Sequence, residues 1–154
     1  MLSITLDLGK APSVLAAFAD QRMAQLVANA AAESYVDDTL DYIAAGKAFT
    51  PRTGQLEQSI NWTAAGNGSA EVLAQAEYAG WVEQGTDAHV IRPKDRKALR
   101  FPVAGGAGFG FARVINHPGS KPHPFFFADL DARKDRMQAR ALSVLATRMA
   151  QAGG

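Results

Sequence analysis

Three histidines, a glycine cluster and a group of helical carboxylates are the residues whose types and spacing could support chemistry in this chain. His117 and His123 lie in a proline-rich stretch, without the i, i+4 spacing of a helical metal pair and without an adjacent carboxylate. Together with His89 they read as loop histidines that hydrogen-bond or touch a partner. Gly105, Gly106, Gly108 and Gly110 invite a phosphate-loop reading, but the spacing departs from GxGxxG and no Gly-Lys-Ser/Thr follows. The residues downstream look like strand, so the cluster predicts a hairpin tip. There is no cysteine and no Gly-x-Ser-x-Gly elbow, which removes the common routes to a covalent intermediate. Asp37 and Asp41 fall on one helical face with Asp38 beside them, and a solvated face is their ordinary role, because a catalytic pair needs burial. The expectation is a chain that is not an enzyme and that carries no cofactor and no metal.

The stronger signal is charge. Arg92, Lys94, Arg96, Lys97 and Arg100 put five cations within nine positions, against the single acid Asp95. Such a run creates a positive potential able to attract phosphates or a carboxylate-rich surface. No aromatics are interleaved with it, which disfavours base stacking on a single strand and leaves non-specific contact with DNA open. The net charge of +1 also hides an asymmetry. Met1 to Thr86 holds 4 basic and 10 acidic residues, whereas Asp87 to Gly154 holds 12 basic and 5 acidic, balances of −6 and +7. That distribution suits head-to-tail contact between copies, or a basic face turned towards an anionic partner; a mixed solvated surface is the plain alternative.

The elements that must position these residues follow from periodicity. At 154 residues the chain is expected to form a single domain, 1–154, around one core. No apolar run reaches the length of a membrane span, and the opening residues lack the pattern of a signal peptide. Ser3 to Leu8 alternates as a strand. From Ser13 to Ala45 the spacing predicts one long helix, about 50 Å if unbroken, or two with a break near Asn29. A helix of that length is expected to lie partly against a neighbouring subunit, or to bend. Pro51 and Gly54 mark a loop. Ser59 to Ala65 and the strand ending near Tyr78 then form a hairpin around Gly66-Asn67-Gly68. One helical turn follows before Gly85. Leu99 to Val103 and Phe111 to Ile115 make a second hairpin, and a final helix from Phe126 carries Leu130, Met137, Ala141, Leu145 and Met149 at helical spacing. The expected class is α+β, with an antiparallel sheet of about four strands from two hairpins packed against a long N-terminal helix and a C-terminal helix.

Four segments together give the chain a family resemblance. They are TPRTGQLEQSI (Thr50 to Ile60), YAGWVEQGT (Tyr78 to Thr86), HVIRPKDRKALRFP (His89 to Pro102) and HPGSKPHPFF (His117 to Phe126). In order and spacing they resemble the tail-component, or tail-completion, proteins of long-tailed bacteriophages. The resemblance covers about half of the chain, in its central and late parts. It implies a structural virion protein without enzymatic activity or cofactor, forming a homo-oligomeric ring, expected as a hexamer, in the neck or at the head-proximal tail end. Its partners would be neighbouring neck and tail-tube proteins, met in the host cytoplasm during assembly. Tail terminator, head-side stopper and non-specific DNA-binding accessory protein are the alternatives. Under this reading Arg92, Lys94, Arg96, Lys97, Arg100, Gly105, Gly106, Gly108, Gly110, His117 and Lys121 become candidates for inter-subunit contact or for the lining of the channel that DNA traverses.

Overall fold

The architecture is that of a computed structural model, described here for residues 1–7, 21–103 and 108–152. It is mixed α+β, with four helices and small antiparallel sheets among the described residues. Strand β1 (Leu2–Asp7) precedes the long helix α1 (Gln21–Ala44). A short helix α2 (Gln55–Gln58) leads into the hairpin β2 (Ile60–Gly66) and β3 (Ser69–Ala74). Helix α3 (Ala79–Gln84), strands β4 (His89–Ile91), β5 (Leu99–Pro102), β6 (Phe109–Ala112) and β7 (Ile115–His117), and helix α4 (Leu130–Ala152) complete it.

Alternation in the sequence builds the main sheet, whose order is β1-β3-β2. Its register sets Leu2, Ala74 and Ile60 side by side, then Ile4, Val72 and Trp62, then Leu6, Ala70 and Ala64. Residues in register share a face, so these three rows make one apolar surface. Helix α1 covers it with Ala28, Ala31, Ala32, Tyr35 and Ile43, all in the buried core. Alanine at three of these positions lets the helix lie close to the sheet. The hairpin turn needs left-handed backbone, which Gly66 (φ 82°), Asn67 (φ 52°) and Gly68 (φ 75°) supply.

Helix α1 ends as its sequence predicts. Gly46 takes φ 67°, its N–H donates to the Ile43 carbonyl, and Lys47 N–H donates to that of Tyr42, which is the paired closure of a Schellman motif. The helix is continuous through Asn29, whose side chain accepts from Gln25 one turn earlier, so no break occurs there. The expected start at Ser13 lies outside the described residues. Helix α4 runs antiparallel along α1: Arg133 meets Thr39, Arg136 meets Asp38 at 2.7 Å, and Arg140 approaches Glu33 at 3.9 Å. It starts at Leu130 rather than Phe126, because residues 126–129 form bends and turns and Asp129 takes a left-handed φ of 50°. Met137 is buried and Ala141 and Leu145 are half-buried, whereas Met149 is exposed, so burial of the apolar stripe fades towards the C-terminal end of α4.

The single four-stranded sheet is corrected. The first hairpin is completed by β1, and the second hairpin, β5–β6, forms a separate two-stranded ribbon. A further ribbon pairs β4 with β7. The segment expected as one strand, Phe111 to Ile115, is divided between β6 and β7, which have different partners. Pro93, Pro102 and Pro118 help explain the fragmentation, since each lacks the N–H that an interior strand would donate.

The core makes a direct prediction. Ile43→Ala, at a fully buried position, is expected to cost about 2–5 kcal/mol in urea unfolding. Leu142→Ala, where the side chain is 57% exposed, is expected to change stability by less than about 0.5 kcal/mol.

Candidate interaction site

Two arrangements stand out: a buried clamp that holds residues 125–127, and an exposed basic ribbon. The clamp begins at α3. Glu83, buried near the end of that short helix, accepts backbone N–H bonds from Phe125 (2.9 Å), Phe126 (2.8 Å) and Phe127 (3.2 Å). On the other side of the same peptides, Arg133 donates to the carbonyls of Phe126 (2.8 Å) and Phe125 (2.9 Å) and to Thr39 Oγ1 (2.9 Å). The Tyr35 hydroxyl also donates to the Phe126 carbonyl. The Arg133 guanidinium lies 5.3 Å from the ring centres of both Tyr35 and Tyr42. Carboxylate and guanidinium therefore satisfy a buried stretch of backbone from opposite sides.

Neighbouring bonds extend this junction. His123 N–H donates to the Val82 carbonyl, and His123 Nδ1 lies 3.0 Å from the Ala48 carbonyl. Thr86 and Ser120 exchange backbone bonds at 3.0 Å in each direction. That bridge requires glycine beside each strand: a Cβ on Gly85 would collide with the Ser120 carbonyl, and one on Gly119 with the Thr86 carbonyl. His89 and His117, opposite each other in the β4–β7 ribbon, stack at 5.0 Å between ring centres. His117 Nδ1 accepts the Gly119 N–H, which leaves Nε2 to carry the proton of the neutral ring. A cleft of about 290 Å³ opens beside the junction, between Pro51, Arg52 and Leu56 on one side and Tyr78, Val82 and His123 on the other.

The second arrangement holds most of the candidate contact residues. Arg92, Lys94, Arg96 and Lys97 are exposed in the loop between β4 and β5, and Arg100 is exposed on β5. Lys121 is exposed beyond β7, and His117 is half-buried in its stack. Gly105 and Gly106 lie outside the described residues. Gly108 has open space around it, whereas Gly110 sits beneath the Phe101 ring, where a side chain would clash.

The ribbon also brings in residues that the spacing of the cations did not reveal. Pairing sets Arg100 opposite Phe111 and Pro102 opposite Phe109, so these four share one face. Phe109 is 55% and Phe111 70% exposed, and the Arg100 guanidinium lies 3.5 Å above the centre of the Phe109 ring. Aromatics are thus interleaved with the cations after all, across strands rather than along the sequence. The alternation in Phe-Gly-Phe at 109–111 was the available signal. Among the described residues, no group of three or more His, Cys, Asp or Glu side chains could hold a metal ion.

The clamp yields two predictions. Replacing Arg133 with Met removes its hydrogen bonds to the Phe125 and Phe126 carbonyls and to Thr39 and leaves those buried acceptors short of donors, and a loss of about 1–3 kcal/mol is expected in chemical denaturation. Burial, the largest influence, raises the Tyr35 hydroxyl above its ordinary value of 10.0, with nearby Glu83 adding to the rise and Arg133 opposing it. The folded protein therefore holds this proton more tightly than the unfolded chain. The resulting stability is fully present below about pH 10 and is lost as pH climbs through the folded value. Tyr35→Phe should lower the melting temperature at neutral pH through the lost hydrogen bond, yet show a shallower alkaline decline than the parent.

Comparison with protein-family models, with curated proteins and with solved structures finds no match.

Proposed function

We propose that the chain is a structural protein of a long-tailed bacteriophage virion, a ring-forming component of the neck or head-proximal tail end that completes the tail and takes part in head–tail joining. On this reading it is one domain, 1–154, without a catalytic step or cofactor, and part of α1 lies against a neighbouring subunit.

The supporting observation is that the four segments carrying the family resemblance, spread between Thr50 and Phe126, meet around one junction. Tyr78–Thr86 supplies Glu83, which binds the amides at the end of His117–Phe126. His89 stacks on His117, tying in the third segment. Thr50–Ile60 forms one wall of the cleft whose other wall includes Tyr78, Val82 and His123. Shared motifs that answer to one local structure support a shared fold better than scattered matches would. The charge asymmetry supports repetition, since an acidic half facing a basic half is a heterologous contact that can close into a ring.

A second reading, non-specific contact with DNA in the channel, is favoured by the exposed cations of the β4–β5 loop and β5. It would give duplex binding that weakens steeply with salt.

Electron microscopy of particles assembled without this chain tests the proposal. Filled heads and finished tails that remain unjoined are the expected outcome. Overlong tails would assign the terminator role instead, and heads that lose DNA the stopper role. Normal infectious particles would overturn the virion reading.

A further inference from the structure

Among the described residues, nothing covers the ribbon face formed by Arg100, Pro102, Phe109 and Phe111. Each of the four residues is exposed. A two-stranded ribbon by itself is at best marginally stable in water, and an apolar surface rimmed by charge marks a contact site. Val103 at its end is also exposed, adding aliphatic surface. Arg92, Arg96 and Lys97 supply an exposed basic rim.

We infer that this ribbon docks on a second copy of the chain, its cations against the outward face of α1. The inference rests on the ring reading above and names the surfaces that would form the ring contact. Charge complementarity selects the occupant. The net balance of −6 lies in the half of the chain that contains α1, and +7 in the half that contains the ribbon. On α1, Glu33, Asp37 and Asp41 recur every fourth residue and all three are exposed. Glu33 is near Arg140 of its own chain, which leaves Asp37 and Asp41 as the principal targets. Nucleic acid suits the ribbon less well, because one ring available for stacking, Phe109, is already capped by Arg100, and Pro102 and Val103 offer a phosphate nothing. Ribbon and α1 face are different surfaces, so the contact is heterologous and propagates from copy to copy.

The absence of cysteine makes the test direct. Two single-thiol proteins, Phe111→Cys and Asp37→Cys, are mixed under mild oxidation, with Glu77→Cys as an exposed acidic control away from α1. The expected product is the mixed F111C–D37C disulfide, in several-fold excess over either homodimer and over the F111C–E77C pair. Its rate should fall with added salt, and should collapse when Arg96→Glu and Lys97→Glu are added to the F111C chain. Circular dichroism on each variant establishes that it is folded. Predominant F111C homodimers would show ribbons meeting each other and overturn the inference, as would a mixed yield no greater than the control. If the mixed disulfide fails while light scattering still finds a ring, the ribbon assignment falls and the ring reading stands. If no ring forms and duplex DNA shields the F111C thiol from alkylation, both fall and the ribbon belongs to nucleic acid.

Discussion

The peptide groups of Phe125 and Phe126 are buried in a segment that is neither helix nor strand, and most of the late architecture depends on how they and the adjoining Phe127 N–H are satisfied. Buried backbone donors and acceptors without partners are costly, and regular structure is the usual remedy. Here two charged side chains replace it: Glu83 takes the N–H groups and Arg133 takes the carbonyls. Each charge would be expensive to bury alone. Each is tolerated because the peptides, polarised between them, offer hydrogen bonds on both sides. The rings of Phe125 and Phe126 can then enter the core, where Tyr35 and Phe49 pack edge-on against them. This one junction fixes the end of α3, the entry to α4 and the position of α4 along α1.

The parts of the fold legible in the sequence are those governed by local rules. Strand β1 and the first hairpin followed from alternation and a Gly-Asn-Gly turn, and the end of α1 from Gly46. The later ribbons were not legible in the same way. Strands of three or four residues give too few positions for a period to emerge, and nothing in the order of the sequence says that β4 seeks β7 while β5 seeks β6. The clamp was hidden for a different reason. An isolated Glu83 and an isolated Arg133, fifty positions apart, look like any solvated charges until the chain between them is folded. The cations from Arg92 to Arg100 were plain in the sequence, but their aromatic neighbours arrive from another strand.

The molecule therefore divides its interactions unevenly. Around α1 and the main sheet, side chains are buried in a continuous core, and the clamp extends that core to the last helix. The β5–β6 ribbon is outside this network, with Phe101 folded over Gly110 as its main internal packing. Segments with few buried apolar contacts open at low free-energy cost, so the ribbon should be the part of the described fold most responsive to a partner. Ordering it on contact would reduce the net affinity of that contact. A ring tolerates weak individual contacts, because closing the circle makes the last contact intramolecular and raises its effective concentration. Under the proposed ring reading, a stable clamp and a weakly supported ribbon would be compatible demands: the first would keep the subunit rigid, and the second would let association remain reversible until the circle closed.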